Sequence, residues 1–141
     1  MRDIATHKII KRIQSHGYIH ALAFSPDGNY FVSAHGDNCH MALLWNREAE
    51  IEKALIGHED SVTSIAISLD SQKIITGSAD KTIKIWNMQN GSEEFTLSGH
   101  TDVVCTLAIT PDGKSVISGS YDGTMKLWDI DKGQEPIFFS I

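Results

Sequence analysis

The most constraining feature of this sequence is a unit of 42 residues that occurs twice in register. Gly57-His58 is repeated at Gly99-His100, and Trp86 is repeated at Trp128, each at a separation of 42 residues. Between its histidine and its tryptophan each copy holds three short runs of aliphatic and β-branched residues, separated by turn signals such as Pro111-Asp112-Gly113. This pattern indicates strands joined by tight turns. A fourth run follows each tryptophan, at Glu94–Leu97 and at Pro136–Ile141. The sequence therefore predicts one four-stranded antiparallel sheet per repeat.

A third and weaker copy of the unit precedes these two. Ser15-His16 stands where the later copies have Gly-His, Pro26-Asp27-Gly28 supplies the first turn, and Trp45 ends the third run. The second turn, 36–40, is two residues longer than its counterparts. The repeats predict one repeat region, 1–141, with units at about 17–56, 60–98 and 102–141 and an additional outer strand at 8–14.

Residues 46–55 allow two interpretations. Glu, Ala and Lys dominate the segment, which favours a helix on propensity alone. The repeat register instead places a charged connection at 47–52 and the outer strand of the first unit at 53–56. Because the register draws on the whole repeated unit, we expect the strand.

A four-stranded unit that opens with Gly-His and closes on tryptophan resembles the repeat of the WD-repeat family, and this resemblance covers residues 9–141. The resemblance implies an all-β fold of WD-repeat β-propeller blades, here three four-stranded antiparallel blades. Propellers generally close with about four to eight blades. We therefore expect an incomplete ring, which further sequence or other copies of the chain would complete.

The resemblance also implies a hydrogen-bond relay in each blade, from a turn aspartate through the histidine and a strand hydroxyl to the tryptophan. Such a relay is physically reasonable, since a buried polar group without a partner costs about 1–3 kcal/mol. In that order, the expected members are Asp37, His16, Ser33 and Trp45 in the first blade, Asp80, His58, Thr76 and Trp86 in the second, and Asp122, His100, Ser118 and Trp128 in the third.

Three other chemistries fit the sequence less well. A Ser-His-Asp triad is unnecessary, because the same set recurs in three repeats and the relay explains it. Gly113-Lys114-Ser115 resembles the end of a phosphate-binding loop, but it joins two strands and lacks the earlier glycine. The sequence therefore predicts no catalytic residue and no cofactor. It also predicts no metal site, because the candidate ligands lack metal-site spacing: His16, His20, His35, Cys39 and His40.

Composition narrows the classes of partner. The 18 acidic and 12 basic residues give a net charge of −6, which argues against nucleic acid and anionic membrane surfaces as partners.

The N-terminal residues have scattered charges and no apolar core, so no signal peptide is predicted. Cys39 and Cys105 show no disulfide spacing, which favours a reducing compartment. We expect a cytoplasmic protein.

The predicted function is a non-catalytic scaffold or adaptor that binds protein or peptide partners. By the resemblance, partners dock on the face formed by the Gly-His loops and the tight aspartate turns. Tyr121 is the strongest candidate there, because it places a large side chain with an apolar ring and a hydroxyl where the second unit has only the small Ala79. Two alternatives stay open: a self-assembling homo-oligomer that completes its own ring, and a sensor segment of a larger signalling enzyme. The candidate binding residues are Tyr18, His20, His35, Asp60, Asp102 and Tyr121.

Overall fold

All regular structure in the described part of the chain is β-strand. The computed structural model describes residues 2–3, 8–9, 12–13, 18–36 and 39–140, and for 2–3, 8–9 and 134–140 it describes the backbone alone. None of the described residues forms a helix long and apolar enough to cross a membrane. Three four-stranded antiparallel sheets follow one another, and their strands pair in chain order. The prediction of three propeller blades in an open row is confirmed.

The strands of the three blades follow the repeat. Blade 1 contains β3 (Ile19–Phe24), β4 (Tyr30–His35), β5 (Met41–Asn46) and β6 (Ile51–Ile56). Blade 2 contains β7 (Val62–Ile67), β8 (Lys73–Ser78), β9 (Ile83–Asn87) and β10 (Glu93–Leu97). Blade 3 contains β11 (Val104–Ile109), β12 (Ser115–Ser120), β13 (Thr124–Asp129) and β14 (Gln134–Ser140).

The N-terminal strand differs from the expectation of an outer blade strand at 8–14. Residues Lys8–Ile9 form β2, which pairs with β1 (Arg2–Asp3) in a separate two-stranded sheet. Residues 10–11 and 14 of the predicted strand lie outside the described residues. The outer strand of blade 3 is β14, which pairs with β13 across a short turn. Closing a short local hairpin costs less chain entropy than recruiting a distant segment.

The segment after Trp45 forms a turn and a strand, as the repeat register predicts. The Asn46 side chain accepts hydrogen bonds from the backbone N–H groups of Glu48 and Glu50, both at 3.0 Å. Ala49 adopts a φ of 61°, which is incompatible with a continuing α-helix. The chain then enters β6, so the helical interpretation is wrong.

The first turn of every blade is built in the same way. The hydroxyls of Ser25, Ser68 and Thr110 each donate to the aspartate two residues later, at 2.6 Å. The turn closes in a left-handed conformation, at Gly113 in blade 3 and at Ser71 in blade 2, where φ is 61°. Ser71 tolerates this conformation less well than glycine would. Its hydroxyl, however, accepts a hydrogen bond from the N–H of Asp27, which links blades 1 and 2.

Two apolar cores lie between the blades. Each blade has a near face, which carries its tryptophan, and a far face on the opposite side. Trp86 on the near face of blade 2 belongs to the same buried cluster as far-face residues of blade 1, Val32, Leu44 and Leu55 among them. Trp128 of blade 3 packs in the same way with the far face of blade 2, namely Ile75, Ile83 and Ile85. Stability therefore depends on neighbouring blades covering each other.

Candidate functional site

The candidate site begins with four residues of blade 2 that form a continuous chain of hydrogen bonds. The indole Nε1 of Trp86 donates to Thr76 Oγ1 at 2.8 Å, and Thr76 Oγ1 lies 2.7 Å from His58 Nε2. His58 Nδ1 lies 2.8 Å from Asp80 Oδ2. His58 is buried, and its side chain is orientated at both ring nitrogens.

Blade 3 repeats this geometry with serine in place of threonine. Trp128 Nε1 donates to Ser118 Oγ at 2.8 Å, Ser118 Oγ lies 2.7 Å from His100 Nε2, and His100 Nδ1 lies 2.8 Å from Asp122 Oδ2. In both blades the histidine ring also meets the edge of its tryptophan ring, with centroids 6.3 Å apart. Each histidine lies in the loop before the first strand of its blade, and it thereby connects that loop to the strand hydroxyl and the indole.

Every donor in the relay finds an acceptor when the proton of the neutral histidine is on Nδ1. The indole N–H donates to the hydroxyl, the hydroxyl donates to Nε2, and Nδ1–H donates to the carboxylate. Burial alone would raise the pKa of Asp80. Hydrogen bonds from His58, from the hydroxyl and N–H of Thr82 and from the N–H of Glu59 outweigh burial and hold that pKa well below its usual range. The relay ends on a carboxylate that stays ionised.

These sets do not provide a catalytic hydroxyl. The hydroxyl of Thr76 already bonds to His58 and to the indole N–H of Trp86, and the threonine is completely buried. Ser118 in blade 3 is equally buried. Among the residues that the structure describes, no three His, Cys, Asp or Glu side chains converge as metal ligands would. The arrangement positions loops and strands relative to one another.

In blade 1 the strand hydroxyl contacts a histidine of its own strand. Trp45 Nε1 donates to Ser33 Oγ at 2.8 Å, and the hydroxyl lies 2.7 Å from Nε2 of His35, two residues along the same strand. The predicted members His16 and Asp37 lie outside the described residues. His35 is 2% exposed, so its predicted place on the partner-binding face is wrong. Residues two apart on a strand point to one side, which brings this imidazole to Ser33.

Little in the sequence indicated the contact between His35 and Ser33, because position 35 carries serine in the other repeats, Ser78 and Ser120. Gly36 accompanies the change. A Cβ at residue 36 would lie 2.1 Å from Nε2 of His20, so any other residue there would displace that exposed ring from its present position. Burial lowers the pKa of His35, and the charge of nearby His20 lowers it further.

We expect His35→Ser to destabilise the chain at pH 7.5 by about 1–3 kcal/mol, since Ser33 loses a buried partner. The folded pKa of His35 lies below its unfolded value of about 6.5, so the unfolded state binds more protons as the pH falls. The contribution of His35 is therefore complete above pH 6.5 and declines below it. Urea unfolding at pH 7.5 and pH 5.5 should show the wild-type advantage shrinking at pH 5.5. An unchanged advantage, or an equal loss in the control His20→Ser, would contradict this assignment.

A row of loop-and-turn pairs forms the edge of the blades beside the relays. We call it the rim, and it comprises Tyr18 with Gly36, Ser61 with Ala79, and Val103 with Tyr121. In each pair the second residue donates its backbone N–H to the carbonyl of the first, at 3.0, 2.9 and 3.0 Å. Tyr18 is 68% exposed and Tyr121 is 71% exposed, at opposite ends of the row. The residues between them are smaller.

Three other predicted binding residues also lie on this edge. Asp60 and Asp102 are exposed, and each accepts a hydrogen bond from the following backbone N–H at 2.7 Å. His20 is exposed at an irregular position of β3, next to Gly36. The geometry thus brings five of the six predicted residues to one edge: Tyr18, His20, Asp60, Asp102 and Tyr121.

Stacked four-stranded blades with a repeated Asp-His-hydroxyl-Trp relay define a β-propeller segment. A family model described as WD domain, G-beta repeat, matches residues 7–45, 49–87 and 91–129. The chain therefore belongs to the WD-repeat family.

Its similarity to characterised proteins is partial. It is 31% identical to the 66 kDa stress protein of Physarum polycephalum over 57% of this chain and 14% of that protein. It is 38% identical to Protein FIZZY-RELATED 3 of Arabidopsis thaliana over 48% of this chain and 14% of that protein. It is 42% identical to the pre-mRNA-splicing factor PRP46 of Yarrowia lipolytica over 38% and 12% of the two chains. The chain thus spans under one fifth of these proteins.

Solved structures agree with the fold. The RRP9 WD40 repeats superpose with a TM-score of 0.85 at 24% identity, over 92% of this chain and 40% of that one. The U3-55K structure superposes with a TM-score of 0.86 at 24% identity, over 92% and 41% of the two chains. At this identity the likeness concerns the fold alone.

Proposed function

We propose that the chain is a non-catalytic scaffold whose rim binds a protein or peptide partner. The observation that carries the proposal is the pair of exposed tyrosines, Tyr18 and Tyr121, at the two ends of a row of small residues. Tyrosines of this kind offer a large apolar ring together with a hydroxyl, and they are enriched among residues that dominate binding energy.

The backbone beneath the rim favours binding. Tyr121 is fixed to Val103, and Tyr18 to Gly36, by backbone hydrogen bonds. Next to Tyr121, Asp122 accepts a hydrogen bond from the N–H of Thr101, which ties the loop before β11 to the turn that follows β12. A surface already held in place loses less conformational entropy when a partner binds.

Surface charge favours a partner with basic residues. Asp60 and Asp102 are exposed on the rim edge, and Glu59 lies beside the first of them. The net charge of the chain is −6. Opposite charge on the partner would increase the rate of encounter, while the tyrosines would contribute most of the affinity. Among the matched relatives, one is named a cell cycle switch protein and another a pre-mRNA-splicing factor.

The test compares the two ends of the blades. The immobilised chain captures proteins from a cell extract, and a captured protein is then purified and titrated against variants. We expect Tyr121→Ala to weaken its binding at least tenfold, in line with the loss of a strong interface residue. Tyr18→Ala should weaken it as well.

Leu69→Ala provides the matched control, because Leu69 is 53% exposed on the first turn of blade 2, at the opposite end of the strands. Unchanged affinity in this control completes the expected pattern. A partner whose affinity depends on Leu69 and not on either tyrosine would refute the rim as the binding surface.

A further inference from the structure

The near face of blade 1 is an apolar surface whose counterparts in the other blades are covered. The β3–β4 and β7–β8 registers make Leu22 equivalent to Ile65 and Phe24 equivalent to Ile67. Phe24 is 67% exposed, whereas Ile67 is 7% exposed beneath blade 1. The same position therefore changes from surface to core when a blade packs on it.

Aromatic rings make this face a well-defined surface. The ring of Phe31 lies 5.5 Å from that of Phe24 and stacks on that of Trp45, with 5.7 Å between centroids and 2° between planes. Together with Ile19 and Leu22 these rings line an open groove of about 320 Å³, and Ile13 lines it from the N-terminal side. The corresponding near faces of blades 2 and 3 are covered by aliphatic side chains of the preceding blade.

The far face of blade 3 offers those side chains. The strand registers make Ile117 equivalent to Ile75, and Met125 and Leu127 equivalent to Ile83 and Ile85. In blade 2 the three isoleucines are completely buried against the near face of blade 3. Met125 in blade 3 is 38% exposed. The far face of blade 3 thus has the apolar pattern that covers a near face elsewhere in the chain.

We propose that a second copy of this chain covers the near face of blade 1 with the far face of its own blade 3. The two internal blade contacts are the templates, since the chain packs a far face on a near face twice within itself. The contact is head to tail, so it continues until a ring closes or a row of copies forms. This inference is separate from the rim, which lies at the ends of the strands.

The first test is the molar mass in solution by size-exclusion chromatography with light scattering, over a hundredfold range of concentration. We expect masses that are multiples of 15.6 kDa, either one fixed multiple where a ring closes or a mass that rises with concentration where a row of copies forms. A constant mass of 15.6 kDa over the whole range would overturn the proposal.

Charge-introducing variants then identify the faces. Phe24→Asp damages the near face and Met125→Asp the far face, and each should reduce the mass to that of one chain. Mixing the two variants should restore a two-chain species, because Met125→Asp retains its near face and Phe24→Asp retains its far face. Tyr121→Ala, on the rim, should leave the wild-type mass unchanged.

Circular dichroism checks that the variants are folded. Leu22→Asp replaces Phe24→Asp if that variant unfolds, because Leu22 is 64% exposed and its change leaves the ring contact between Phe24 and Phe31 in place. Association that survives folded near-face and far-face variants, or that depends on Tyr121, would overturn the proposal. Failure of the mixture to reassociate would overturn the head-to-tail arrangement.

Discussion

Trp86→Ala is expected to lower the free energy of unfolding by about 3–5 kcal/mol, the range for removing a large aromatic side chain from a core. Trp86 is 2% exposed and packs among apolar residues of blade 1. Its indole also donates to Thr76, so the substitution removes both a wall of the core between the blades and a buried donor. Urea unfolding followed by tryptophan fluorescence and circular dichroism measures the loss.

Two further variants separate the causes. Trp86→Phe keeps most of the ring volume and removes the N–H, so we expect a loss of about 1–3 kcal/mol from the unsatisfied hydroxyl and the smaller ring. Trp45→Ala removes the equivalent residue of blade 1, which lies on the open near face and stacks on Phe31. Its cost should be smaller than that of Trp86→Ala by roughly 1–2 kcal/mol, because none of the described blades packs on this face, although Trp45 itself is only 8% exposed.

The comparison is made in the Met125→Asp background, so that a second copy does not cover Trp45 while the rings around Trp45 stay unchanged. Equal losses for Trp45→Ala and Trp86→Ala would contradict the view that packing between blades dominates. Trp128→Ala should resemble Trp86→Ala, since Trp128 is 2% exposed against blade 2.

Repetition made most of the architecture predictable from sequence. The separation of 42 residues between Trp86 and Trp128 aligned the strands of two blades at once, and the strands lie where this register puts them. The register outweighed the helical propensity of 46–55, because a strand there completes a sheet that the rest of the repeat requires. It also aligned a turn in which Ser71 replaces glycine, and the turn keeps the same geometry.

Where the repeat is irregular, the sequence could not predict the contacts. His35 falls on a serine position of the other blades, and only the three-dimensional strand shows that its ring reaches Ser33. The destination of the two outer strands was also ambiguous, since both 8–14 and 136–141 have suitable composition. Chain proximity decides in favour of β14, which directly follows β13.

The last prediction concerns the acidic end of the relay. Asp80→Asn is expected to cost on the order of 2–3 kcal/mol at pH 7, because hydrogen bonds to a charged acceptor contribute more than neutral ones. The carboxylate accepts from His58, from the N–H of Glu59 and from both the N–H and the hydroxyl of Thr82. An amide offers one acceptor oxygen and would direct N–H groups at these donors.

The same contacts fix the direction of the pH dependence. The folded pKa of Asp80 lies below the unfolded value of about 3.9, so the folded state binds fewer protons as acid is added. The stabilisation is complete above pH 4 and is lost progressively as the pH falls towards the folded pKa. The difference between wild type and Asp80→Asn should therefore be largest at pH 6–7 and should narrow below pH 4.

Asp112→Asn is the matched control. Asp112 occupies an exposed turn, where it accepts from Thr110 and from the N–H of Lys114, and asparagine supports turns of this kind as well. The same hydrogen bonds lower the pKa of Asp112, but the group is exposed to solvent, so we expect this variant to lose less stability than Asp80→Asn at every pH and to show a weaker pH dependence. A loss in Asp80→Asn that is as large at pH 3 as at pH 7 would mean that shape rather than charge holds His58. A loss that narrows with acid would establish the ionised carboxylate as the group that fixes the histidine, and through it Thr76 and the indole of Trp86.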